Sequence, residues 1–121
     1  MTVTESRLEL EAALSASGIR NLPQGQVAPP STFIIPGSPN WLEPSVLGGG
    51  KRWVNWVIMC VVSVASQVAI EDQEAFADAI TSAIATLSDP WQRLPTINTP
   101  GFLMLAGLPY SAFRVDIRTV I

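Results

Sequence analysis

The sequence predicts an α+β domain, a mostly antiparallel sheet with two helices packed on one side and a long loop or hairpin extending from the sheet. Three observations carry this. A segment near the N-terminus and residues 71 to 88 repeat apolar residues at three- and four-residue steps, the period of a helix. Residues 52 to 66 and 111 to 121 are long and follow the period of two that places alternate side chains on opposite faces of a strand. The element order is helix, strand, loop, strand, helix, strand, strand, which suits helices gathered on one face of an antiparallel sheet. The 121 residues make a single domain spanning 1 to 121.

The first helix has Thr4 as its expected cap, with Arg7, Leu8, Leu10, Glu11 and Leu14 as good or fair helix formers. Leu10, Ala13 and Leu14 form a narrow apolar stripe, and Gly18 is the expected stop. Residues 21 to 32 hold three prolines and a glycine and read as a connector. Phe33, Ile34 and Ile35 form a short strand ended by Pro36–Gly37. Residues 36 to 51 then form the extended loop, with Trp41 and Leu42 as an apolar island and Gly48–Gly49–Gly50 as a hinge or hairpin tip.

Residues 52 to 66 are the long strand. One face carries Trp53, Asn55, Val57, Met59, Val61 and Ser63, the other Val54, Trp56, Ile58, Cys60, Val62 and Val64. Both are mostly apolar, so the strand is central and covered on both sides. In the helix over 71 to 88, Phe76, Ile80, Ala83, Ile84 and Leu87 make the buried stripe. Glu71, Asp72 and Glu74 favour its N-terminal dipole, and Asp89–Pro90 ends it. Trp91 to Thr99 is a connector. Phe102 to Leu108 is a short apolar strand interrupted at Leu108–Pro109. The last strand puts Ser111, Phe113, Val115, Ile117, Thr119 and Ile121 on one face. Ala112, Arg114, Asp116, Arg118 and Val120 lie on a wet or partner-facing side.

Composition narrows the function classes. The chain is 48% hydrophobic and 14% charged, which excludes a disordered chain. A net charge of −3 lacks the basic balance of a nucleic-acid binder. With no histidine, the commonest general base and metal ligand is missing, along with every Ser-His or Cys-His machine. One cysteine, Cys60, allows no internal disulfide and reads as a small core residue. The N-terminus lacks the basic and apolar regions of a secretory signal. The most apolar run, Trp53 to Ala65, is too short for a membrane helix, which needs ~20 residues. No metal, cofactor or membrane is therefore expected, and no enzyme activity.

Individual motifs bear this out at the level of spacing. Glu71, Asp72, Glu74 and Asp78 lack the spacing and glycine turn of a calcium loop and read as a solvated helix face. Gly48–Gly49–Gly50–Lys51 fails the phosphate-loop pattern at both ends, with Ser45 and Arg52 where glycine and Ser or Thr are required. Lys51 and Arg52 beside Trp53 and Trp56 could clamp nucleic acid, but the basic footprint is very small. Ser-Lys chemistry would have to use Lys51, and nothing places it near a serine in a buried site. Trp41 and Trp91 stand outside the periodic elements, either capping their own core or anchoring an interface. Arg114, Asp116 and Arg118 line one strand face, as a solvated ladder or as a contact with a neighbouring subunit.

Four stretches carry a resemblance. They are APPSTFIIPGSPNWLEP (28 to 44), RWVNWVIMCVVSVAS (52 to 66), EDQEAFADAI (71 to 80) and SAFRVDIRTVI (111 to 121), together about half the chain. In order and local character the sequence resembles the tail terminator proteins of long-tailed bacteriophages, especially those infecting actinobacteria. The resemblance is one of layout, and the tip GGGKR matches no fixed family motif.

The resemblance implies a structural virion protein in the neck region of the tail, assembled in the host cytoplasm. It implies a homo-hexameric ring on the head-proximal end of the tail tube. Its partners would be further copies of itself, the major tail tube protein and the head–tail connector or neck proteins. DNA would only pass through the lumen. Candidate subunit or tube contacts are Trp41, Leu42, Lys51, Arg52, Trp91, Arg114, Asp116 and Arg118, with Trp41 and Leu42 as the anchor of the loop. Two other readings stand beside it: a different neck or head-completion connector, and a small non-viral adaptor binding a peptide at a sheet edge.

Overall fold

A computed structural model describes residues 1–24, 26–45 and 49–121. The α+β class is as expected: two helices pack against one six-stranded antiparallel sheet among the described residues.

Helix α1 runs Val3–Ala16. Its cap is Thr2, not Thr4. The Thr2 Oγ1 accepts the Glu5 N–H at 3.0 Å, and the Glu5 carboxylate accepts the Thr2 N–H at 3.2 Å. Only Thr2 has a glutamate three residues on; Thr4 has Arg7 there, so only Thr2 can close this reciprocal pair. The helix ends where expected. Gly18 takes φ +77, its N–H bonds to the Ser15 carbonyl, and the Ile19 N–H bonds to that of Leu14. That is the left-handed glycine closure of a helix C-terminus.

The sheet is built around two long strands, β3 (Arg52–Val64) and β6 (Leu108–Val120), paired antiparallel from Trp53–Val120 to Val64–Tyr110. Beside β3 lie β1 (Ser31–Pro36) and then β2 (Leu42–Pro44), running in the same direction. Beside β6 lie β4 (Thr96–Ile97) and then β5 (Gly101–Leu105). Each outer row is thus one interrupted strand. The sequence reading placed β2 inside the loop and β4 inside the connector. Such short strands form only because a long neighbour offers them peptide groups, and periodicity cannot reveal them. The loop's expected hinge begins at Gly48, outside the described residues; Gly49 and Gly50 take φ +66 and +74.

The expected break at Leu108–Pro109 is also corrected. The turn falls at Ala106–Gly107, with φ +50 and +80, and β6 passes straight through Pro109. A two-residue turn makes Leu105–Leu108 the hydrogen-bonded pair. Pro109, one residue on and opposite Met104, then owes β5 no N–H. On its other side β3 has already ended, since Val64 pairs with Tyr110.

Helix α2 runs Ile70–Ala85, shorter at its C-terminal end than the expected 88. Both helices cover one face of the sheet. Leu10, Leu14, Ile80, Ala83 and Ile84 from the helices meet Val54, Trp56, Ile58, Cys60 and Val62 from β3. Phe113, Val115 and Ile117 complete this core from β6. The opposite face carries a smaller cluster of Phe33, Val61 and Tyr110, with Met59, Leu103 and Leu105 packed on it. So β3 is covered on both sides along only part of its length.

Candidate interaction surface

On the face away from the helices, the wet side of β6 meets the more polar part of β3. The register sets Asn55 opposite Arg118, Val57 opposite Asp116 and Met59 opposite Arg114. Arg114, Asp116 and Arg118 thus form a row at two-residue steps along one face of β6. The Arg114 guanidinium donates to the Asp116 carboxylate at 2.6 Å and to the Ser38 carbonyl at 3.3 Å. Asn98, just after β4, donates to the other Asp116 oxygen at 2.7 Å. Arg118 lies 4.0 Å from the centre of the Trp53 ring and donates to Gln92 at 3.1 Å. The Arg114 and Asp116 side chains are each more than a third exposed and lie on the same strand, so their ion pair adds little stability.

Two walls rise beside this floor. One is the chain from Gly37 to Asn40. Gly37 lies so close to Asn55 that an added Cβ would meet its Cβ at 2.6 Å. The other wall is the segment around Leu94 and Pro95. Between them lies an open cleft of ≈ 330 Å³.

The remaining sequence candidates are scattered. Trp41 is 42% exposed and meets Trp56 edge to face, with ring centres 5.9 Å apart. Leu42 is likewise exposed. Lys51 and Arg52 are exposed at the start of β3, where the Arg52 main chain exchanges both hydrogen bonds with Ile121. They form no clamp with the neighbouring tryptophans. Trp56 is buried and donates to the Ser6 hydroxyl at 3.0 Å, and Trp53 is covered by Arg118. Trp91 is only 3% exposed and belongs to the helix-side core, so it offers no interface ring. The acids of α2 are exposed. Among the described residues no three His, Cys, Asp or Glu side chains come together as metal ligands.

Sequence reasoning missed the most exposed apolar side chains. Phe102 is 72% and Met104 64% exposed on β5, and Leu108 is exposed across the turn from them. Leu94 stands out from the cleft wall. The available signal was GFLMLAGLP, an apolar hairpin without one charge. Such a run reads equally well as a buried strand, and only its place on the outer row, beyond the reach of the helix-side core, leaves Phe102 and Met104 uncovered.

No helix among the described residues is long and apolar enough to cross a membrane. No family model and no curated protein matches the chain.

Proposed function

We propose that this chain is a ring-forming structural subunit that terminates a bacteriophage-type tail tube. The supporting observation is that two groups of exposed apolar side chains stand at separate places on one sheet. Trp41 and Leu42 lie beside Val54 and Asn55 of β3. Phe102, Met104 and Leu108 lie on the β5–β6 hairpin, level with Ser63 and beyond, at the other end. Between Thr119, the partner of Val54, and Leu108, β6 spans about 36 Å at ~3.3 Å per residue. A closed head-to-tail ring needs two different patches on each subunit, whereas a two-fold dimer needs only one. The layout of residues 28 to 44, 52 to 66, 71 to 80 and 111 to 121 supports the same reading.

In this role one rim of the ring stops further tube subunits from adding, and the other meets the neck of the filled head. A chain with net charge −3 does not grip DNA passing through the lumen. The test is the native mass of the purified protein, alone and with the tail tube protein of the same source, together with images of the mixture. Hexamers, or rings seated on tube ends, are expected. A monomer that ignores the tube overturns the reading. Replacing Trp41 and Leu42 by alanine is expected to leave a folded chain that no longer caps tubes.

The ≈ 330 Å³ cleft favours a second reading, an adaptor that takes an extended peptide over Asn55 and Arg118. It predicts a stable monomer whose Asn55 and Arg118 signals shift when peptide is added. Portal binding in place of tube binding would instead mark a different neck protein.

A further inference from the structure

We infer that the subunits join by inserting the β5–β6 hairpin of one copy into a groove on the helix side of the next. This rests on the ring reading and names its contact. The groove is ≈ 540 Å³ and lies at the β1 edge of the sheet. Its floor is Val62 and Phe76, and the small residues Gly18, Ala75 and Ala79 leave it open. Phe76 is held in place by an edge-to-face contact with Phe113 at 5.9 Å. Because β1 starts at Ser31, opposite Val61, no β1 residue stands beside Val62.

The hairpin lies at the opposite edge of the same sheet. Its outer strand, β5, pairs only with β6, so one side of its backbone is unpaired among the described residues. In a hairpin closed at Leu105–Leu108, the peptide groups of Phe102 and Met104 are the ones that point outward. Phe102 lies opposite Ser111, whose hydroxyl accepts from Gln73 of α2, so its side chain is on the helix side. The groove and hairpin also stand at the same height. Val62 is two residues from Val64, which pairs with Tyr110, which pairs with Leu103.

These relations point to a second copy as the occupant. Two unlike surfaces at one height, on opposite edges and the same side of a sheet, meet when copies are related by rotation about one axis. The chemistry also matches. Residues 101 to 109 carry no charge, and the groove floor is apolar. At its rim the Asp72 carboxylate makes no hydrogen bond or ion pair with any described residue. The exposed Arg20 guanidinium donates, among the described residues, only to the Ala28 carbonyl. They supply an acceptor and a donor for the free peptide groups of β5. Burying Phe102 and Met104 removes on the order of 250 Å² on the hairpin side, about a third of the ~800 Å² per partner of a standard interface. The adjoining sheet edges of a side-by-side ring supply the rest.

The test uses the full chain. A spin label is attached at Thr99→Cys, beside the hairpin but outside the contact; buried Cys60 does not compete for the label. Labelled protein is mixed with isotope-labelled wild type, and the amide signals of the second species are followed. Paramagnetic broadening reports weak and transient contacts, so a monomeric average mass does not blunt it. The expected result is loss of the Ile19, Val62, Phe76 and Ala79 signals, restored when the labelled chain also carries Phe102→Asp and Met104→Asp. Broadening centred on residues 101 to 105 would mean that two β5 edges pair with each other, and it overturns the inference. So does the absence of broadening at the groove. Tube capping is scored separately. Rings that cap tubes without broadening at the groove sink this contact alone, and groove broadening without capping sinks only the tail role.

Discussion

Ser6 and Thr119 are both fully buried hydroxyls in a largely apolar setting, yet they are opposite cases. The Ser6 hydroxyl donates to the Val3 carbonyl at 2.6 Å and accepts the buried Trp56 indole N–H at 3.0 Å. Ser6→Ala strands that indole donor, and urea unfolding is expected to show a loss of about 1–3 kcal/mol. The Thr119 hydroxyl has no partner among the described residues. Thr119→Val keeps the branched shape and discards only an unmet polar group, so the same measurement is expected to show a gain of about 1 kcal/mol. Burial pushes the Cys60 thiol well above its usual range. The stability tied to its neutral form is complete below the unfolded thiol value of ~8.5. It is lost as pH climbs from there toward the folded value, at ~1.4 kcal/mol per unit. Unfolding midpoints measured across that window should fall steeply in the wild type and less steeply in Cys60→Ala.

At the level of elements, the hairpin turn holds stored strain. Ala106 sits at φ +50, a region that suits asparagine or glycine and costs an alanine about 1 kcal/mol. Ala106→Asn is expected to raise stability by ~0.5–1 kcal/mol while leaving the register of β5 and β6 intact. Thermal unfolding reads the first effect, and amide chemical shifts along residues 101 to 110 read the second. Gly107, at φ +80, has no such freedom to change.

For the whole molecule, the proposed ring contact joins apolar side chains to an apolar floor, with no ion pair between hairpin and floor. Raising ionic strength should therefore leave the mass of the assembly almost unchanged, because screening acts on charges. Sedimentation across a salt series checks this. The overall class, both helices, the two faces of β6 and those of β3 as far as Val62 were legible because long elements repeat their pattern often enough to be read; an irregularity between Val61 and Ser63 then turns Ser63 to the Ser111 side and Val64 to the Tyr110 side, against the expected alternation. The alternation from Ser111 to Ile121 even separated the helix-facing side from the row of Arg114, Asp116 and Arg118, although Ala112 and Val120 at the ends of that row are buried. Features settled by distant partners were not legible. Nothing in Leu42–Pro44 or Thr96–Ile97 marks a strand until β3 and β6 supply the other half of the ladder. Trp91 resembled an interface anchor because its connector lacks a period, although its ring is buried with the helices. Phe102 and Met104 went unremarked because exposure depends on how far the helix-side core reaches across the sheet, which their own sequence does not record.

The pairing of β3 with β6 also bears on how quickly the chain can find its shape. It joins Val64 to Tyr110 at one end and Trp53 to Val120 at the other, with all of α2 and the β4–β5 row lying between in the chain. Closing so wide a loop sacrifices chain entropy before most of the ladder can reward it. The β5–β6 hairpin and the two helices depend on near neighbours and can form within microseconds. The long ladder comes later and sets the pace, so refolding should fall in the slower range of mixed α/β domains. During that delay the apolar strands of the sheet stand open to other chains. Recovery of the native protein from denaturant should therefore decline as the concentration at refolding rises.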